Sequence, residues 1–173
     1  MPVTIHWFRS DLRLFDNPAL TVAADSGQVI PIYILEEERK KNNGQTISGL
    51  QQTHTMGAAT KLWLHHALSS LHADLQGNLI FRCGNADRIL KELIDETSAQ
   101  QVTMTRRYAP QESERDENIR QKLQEKGVKV TIETGNLLWD PEQITKLDGT
   151  PYKVFTPFYR RGCLAANPPR QPR

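Results

Sequence analysis

The sequence predicts an α/β fold, a doubly wound sheet of five parallel strands with helices on both faces. Three observations predict it. Five short strand-like runs, Val3–Phe8, Val29–Leu35, Asn78–Arg82, Gln101–Thr105 and Val128–Glu133, alternate with helical patterns, the order that βαβ units produce. The first run leads directly into an Arg/Asp-rich turn and a capped helix, which is how nucleotide-binding sheets open. A chain of 173 residues suits one domain with a real core.

The elements follow in order. His6 lies inside the first strand, where a hydrogen-bonded core histidine is expected. Asn17 is a natural helix cap with Pro18 at the first helical position, since the absent proline N–H is not needed there. Pro31 interrupts the second run; we read that strand as central, with Pro31 near its beginning. Glu36 to Gly44 reads as a charged, solvated loop. The longest helix should run from about Thr55, its cap, to Leu75, with Leu64, Leu68, Leu71 and Leu75 as an apolar stripe. His65 and His66 point about 100° apart on that helix, so they cannot share a metal and read as surface residues. Cys83, directly after the third strand, reads as a buried or half-buried thiol.

Ile89, Leu90, Leu93 and Ile94 make the next amphipathic face. The helix from about Gln111 to Lys126 is polar nearly all round, with Ile119 and Leu123 turned inward and Gly127 ending it. Val128, Val130 and Ile132 alternate with polar residues, as on a half-exposed edge strand. Phe155 to Arg161 holds three aromatics in five residues. They are expected to pack on this domain or to await a partner. Asn167 to Arg173 is proline-rich, extended and linker-like, and we expect a further domain downstream.

Composition excludes several classes. Lysines and arginines number 22 against 20 acids, a net charge of +2, which does not mark a nucleic-acid binder. Two distant cysteines fit neither a disulfide framework nor a metal site and point to a reducing compartment. With no secretory leader and no membrane-length apolar run, the expected location is cytoplasmic. There is no nucleophile elbow, P-loop or H-E-x-x-H. The turn after the first strand lacks the glycines of a dinucleotide site.

Open α/β sheets bind ligands at the carboxyl ends of their strands. That rule selects Arg9, Asp11 and Arg13 after the first strand, Glu36 and Glu37 after the second, and Arg106, Arg107, Tyr108, Gln111 and Glu112 after the fourth. The mix fits a planar, hydrogen-bonding heterocycle with an acidic tail. The first loop is more simply an internal ion network, Arg9/Arg13 with Asp11/Asp16. The fourth is the better binding candidate, because three large polar side chains after a buried strand have little structural need.

Trp7 to Leu20 matches every fixed letter of W-F-R-x-D-L-R-x-x-D-N-x-A-L, and so resembles the DNA photolyase and cryptochrome family. Gly57 to Leu68, Arg106 to Pro110 with Arg115-Asp116, Leu137 to Pro141 and Gly149 to Arg160 resemble further signatures of that family. The resemblance implies a Rossmann-like sheet in order 3-2-1-4-5. Residues 1–160 would form an antenna-chromophore domain, and residues 161–173 would begin a linker to a helical FAD-binding domain. It implies a light-driven DNA-repair lyase that splits cyclobutane pyrimidine dimers. FAD, the tryptophan electron chain and damaged-DNA binding would lie in the helical domain, leaving this chain inactive alone. Trp7, Trp63 and Trp139 are then read as core aromatics. The implied antenna is methenyl-tetrahydrofolate, ahead of a deazaflavin or flavin. Gln111-Glu112 stands where folate binders carry Asn-Glu, so Glu112 would accept from the pterin ring. Gln111, Arg107 and Tyr108 would flank it, with Glu36 and Arg9 at the lip. The alternatives are a cryptochrome-type blue-light photoreceptor and a free-standing nucleotide- or folate-binding module.

Overall fold

The computed structural model describes residues 1–36 and 56–172. Thr55, Glu37 and most of the charged loop lie outside the described residues. The elements are β1 (Val3–Phe8), α1 (Pro18–Ser26), β2 (Gln28–Leu35), α2 (Ala58–Asp74), β3 (Ile80–Cys83), α3 (Ala86–Thr97), β4 (Gln101–Thr105), α4 (Pro110–Glu125) and β5 (Lys129–Glu133). All strand pairs are parallel, in the order β3-β2-β1-β4-β5. The doubly wound α/β sheet expected from the sequence is therefore present.

Alternation along the strands separates two unlike faces. Ile5 and Trp7 of β1 join Ile32, Ile34, Val102 and Met104 beneath Ile89, Leu90 and Leu93 of α3 and Ile119 and Leu123 of α4. This is the main apolar core. The opposite face of β1 and β4 is polar although buried, with Thr4, His6, Thr103 and Thr105 at or near full burial. Helix α1 packs against β1 and β4, and its buried residues are Ala19 and Ala23. Small side chains allow that helix to approach the strands closely. A satellite cluster of Phe8, Leu71 and Leu79 is joined by Leu12, Leu20 and Leu68.

The β1–α1 connection is fixed by Asn17, whose Oδ1 accepts from Leu20 N at 3.1 Å, as a cap residue should. Gly27 ends α1 at φ +142°, and a Cβ there would lie 2.5 Å from the carbonyl oxygen of Pro2. Gln28 N donates to that same carbonyl at 3.0 Å. Only glycine lets the chain turn so close to the start of β1.

Several boundaries differ from the sequence reading. Pro31 is the fourth residue of β2, and β3 pairs with β2 only from Ile32 onward. At Pro31 the strand still has one open side, where a missing N–H is tolerated. Helix α2 begins at Ala58 behind Gly57, which makes no side-chain cap. Only Leu71 of the expected stripe is fully buried; Leu64, Leu68 and Leu75 are half-buried. Strand β3 starts two residues later than expected and is an edge strand. Cys83 at its end is exposed rather than buried. Helix α4 begins at Pro110, one residue before the predicted start. Trp7 is a core residue, but Trp63 is 76% exposed and is no core aromatic. Trp139 is half-buried.

After β5, an antiparallel bridge joins Thr145 and Pro151. Short helical turns then run through Phe155–Pro157, Phe158–Gly162 and Cys163–Ala165. Phe155 and Tyr159 stack with centroids 5.8 Å apart, and both are exposed. The tail is tied back twice: Trp139 Nε1 donates to the Asn167 carbonyl at 2.8 Å, and Arg170 pairs with Asp16. No helix among the described residues is long and apolar enough to cross a membrane.

Candidate functional site at the carboxyl ends of the strands

Strand order reverses between β1 and β4, the point where open α/β sheets leave a crevice. In this chain Arg9 fills it. One guanidinium nitrogen donates to Asp116 of α4 and another to the Thr105 carbonyl at the end of β4. The guanidinium lies 4.9 Å from the Trp7 ring centre, within cation–π range. Arg9 is 9% exposed. It forms the floor of the crevice and does not stand at its lip.

Asp11 binds the same floor from the other side. Its carboxylate accepts from Arg9 N at 3.0 Å, from Thr105 Oγ1 at 2.5 Å and from Asn17 Nδ2 at 3.3 Å. Arg13 bonds the carbonyls of Asp16 and Gly135 at 3.0 and 2.7 Å. The first loop is thus a structural network, as expected, but its ion pairs are not. Arg9 pairs with Asp116, and Asp16 pairs with Arg170. Neither arginine pairs with Asp11 among the described ion pairs.

Above the floor the second and fourth loops meet. Arg115 bridges Glu36, after β2, to Asp116 at 2.9 Å. Its guanidinium lies 5.4 Å from the Trp7 ring. Burial raises the Glu36 carboxyl above the usual range even though Arg115 opposes it. Burial and then Glu36 raise the Tyr33 phenol. On the next stretch Arg107 grips Glu112 through two bonds of 3.0 and 2.5 Å. Burial pushes the Glu112 carboxyl up, but the Arg107 contacts outweigh it and hold the group below its ordinary value. That hydrogen bond likewise raises the Arg107 guanidinium. Both side chains keep about a third of their surface exposed. Tyr108 is 37% exposed, and Gln111 lies on the exposed first turn of α4.

The structure therefore joins Glu36 to Arg115 and Glu112 to Arg107, leaves Tyr108 and Gln111 at the rim, and sinks Arg9 beneath them. Arg115 and Asp116 are the central members that site reasoning passed over. Their signal was the Arg-Asp pair one turn into a polar helix, where a buried Asp116 needs a partner. Chemically the crevice offers a half-exposed carboxylate pair, guanidinia and aromatic surface, without a metal cluster among the described residues.

Comparison with known proteins places this architecture. The chain matches the family described as DNA photolyase over residues 4–173. It is 41% identical over 163 residues to a deoxyribodipyrimidine photo-lyase of Agrobacterium fabrum, covering 92% of this chain and 31% of that protein. It is 32% identical to Cryptochrome-2 of Arabidopsis thaliana, covering 93% of this chain and 25% of that protein. Among solved structures, a bacterial class III photolyase from Agrobacterium tumefaciens superposes with a TM-score of 0.84 at 37% identity, over 99% of this chain and 33% of that one. A Synechocystis cryptochrome superposes with a TM-score of 0.82 at 20% identity over 35% of its chain, a likeness of fold alone. The chain spans about a third or less of the length of the relatives it matches. With five parallel strands in order 3-2-1-4-5 and a family match over nearly its whole length, the chain belongs to the DNA photolyase family.

Proposed function

We propose that this chain is the antenna-chromophore domain of a light-dependent DNA photolyase. The photolyase would repair cyclobutane pyrimidine dimers through FAD held by a helical domain that follows residues 161–173. The greater identity to a photo-lyase than to a cryptochrome supports repair over signalling. The antenna is methenyl-tetrahydrofolate, and its pterin ring lies over the crevice above β1, β2 and β4. The supporting observation is the Arg107–Glu112 pair, bidentate yet about a third exposed. A carboxylate held in that geometry can accept two parallel N–H donors from an aminopyrimidinone edge. Arg107 must yield or share those oxygens, so it gates the site. Gln111 and Tyr108 flank the ring, and Glu36, tied to Arg115, closes the β2 side. Arg9 contributes from beneath, by keeping Asp116 and Arg115 in place. The folate supplies near-ultraviolet absorption when bound; the protein's part is to hold and orient it.

Titrating methenyl-tetrahydrofolate into the protein and following its absorbance tests the reading. Losing a half-buried acceptor for two ring donors costs about 1–3 kcal/mol, so Glu112→Ala should weaken binding roughly ten-fold or more. Unchanged affinity in Glu112→Ala, with affinity lost on changing Glu36, would move the site to the β2 side.

A further inference from the structure

A second opening lies along the other flank of α4. Between that helix and the edge strand β5 is a cleft of about 410 Å³, a size that takes a small organic ligand. Val130 and Ile132 line it as an apolar floor, and the guanidinia of Arg106, Arg107 and Arg120 line it with Ser113. Its two carboxylates are committed elsewhere: Asp116 to Arg9 and Arg115, Glu117 to Arg120. Arg107 is held by Glu112.

Arg106 is the exception. Its nearest acid is Asp140, 3.8 Å from Nε. Asp140 already accepts from Thr134 Oγ1 at 3.1 Å and Glu142 N at 3.3 Å. Arg106 Nε is shut away from solvent with no hydrogen-bond partner among the described residues. A buried donor without an acceptor is a standing cost that an incoming anion relieves. Beside it the apolar floor calls for something flat and hydrophobic. A bare inorganic anion would satisfy the arginine and leave Val130 and Ile132 uncovered. An aryl group carrying a carboxylate satisfies both.

We propose that this cleft binds an aryl carboxylate through Arg106, with the ring on Val130 and Ile132. We further assign it to the aminobenzoyl-glutamate arm of the antenna, because the cleft and the crevice share Arg107 and Asp116. That assignment rests on the antenna reading; the aryl-carboxylate site does not.

The test uses p-aminobenzoyl-glutamate as the arm alone, p-aminobenzamide as the same ring without carboxylate, and 6-methylpterin as the head alone. Each is titrated calorimetrically into the protein and its variants. The arm should bind, the benzamide at least ten-fold more weakly. Arg106→Gln should weaken the arm ten-fold or more, Arg106→Lys less, and neither should change 6-methylpterin binding. An unaltered melting temperature in both variants excludes misfolding as the cause. Glu112→Ala should weaken the pterin. No arm binding at millimolar concentration, or equal arm affinity in wild type and Arg106→Gln, overturns the site. Arm binding together with no binding of 6-methylpterin or methenyl-tetrahydrofolate overturns the antenna reading and leaves the cleft standing. Whole-folate affinity that ignores Arg106→Gln overturns the assignment of the arm.

Discussion

At the residue scale, two buried polar groups carry more consequence than the exposed ones. Arg9 and Asp116 form a pair with side chains only 6% and 5% exposed. Removing one partner strands the other charge in the interior, which costs about 3–5 kcal/mol. Asp116→Asn should show that loss in denaturant unfolding. Arg9→Leu/Asp116→Leu together should lose less than the sum of the single changes. His6 is the second group. Its Nδ1 hydrogen-bonds Thr103 Oγ1 at 2.9 Å, while Nε2 is buried without a partner among the described residues. Burial lowers its pKa from 6.5 to about 4, Asp11 opposing and Arg9 adding to the fall. The unfolded chain therefore takes up this proton first. The stability is present above pH 6.5 and is lost as pH drops toward 4, on the order of 3 kcal/mol in all. In His6→Asn, which keeps a polar partner for Thr103, unfolding free energy should fall less steeply over that window. An equal slope would locate the acid sensitivity in the carboxylates. Sequence reading recognised His6 as a core residue because it sits within an apolar strand. It missed Arg9's true partner, because Asp116 lies 107 residues away and nothing local marks the pairing.

At the element scale, pattern and punctuation worked where one force dominates. Asn17-Pro18 marked the start of α1, and the alternation in Val128 to Ile132 marked an edge. Helix α2 shows the opposite case. Its leucine spacing was read correctly as helical, but Trp63 was placed inside on hydrophobicity alone. Exposure of a large apolar residue depends on what packs opposite it, which spacing does not encode. The α1–β2 turn offers a clean test of local geometry. Gly27 combines a positive φ with a carbonyl in the space a Cβ would occupy. Gly27→Ala should therefore cost about 1–3 kcal/mol in chemical denaturation, since relief requires the starts of β1 and β2 to part. A loss below about 0.5 kcal/mol would mean that the turn relaxes freely.

For the whole molecule, the doubly wound class was legible from strand and helix alternation, whereas the order 3-2-1-4-5 came from family likeness. Alternation says that strands are parallel but not which are neighbours. The crevice itself was legible only as a set of loops. Its internal pairing needed coordinates, because Glu36 and Arg115 lie 79 residues apart. The functional expectation at this scale concerns division of labour. If dimer splitting belongs to the FAD-bearing part of the family's longer chains, purified protein of this length should show no light-dependent loss of thymine dimers from irradiated DNA. Splitting by this chain alone would assign the chemistry to the α/β domain.

The central place of β1 bears on how the chain is made. His6 pairs with Thr103, 97 residues later, so the strand's β4 side has no partner until that distance has been translated. At ~5–20 residues per second the wait is roughly 5–20 s. Throughout it, Ile5 and Trp7 on the nascent chain lack the Val102 and Met104 surface that later covers them, although β2 can already dock on the other side. The ribosome-bound intermediate is thus a half-sheet with a sticky margin. A holdase that recognises extended hydrophobic segments should crosslink to residues near Trp7 until β4 emerges, and no longer.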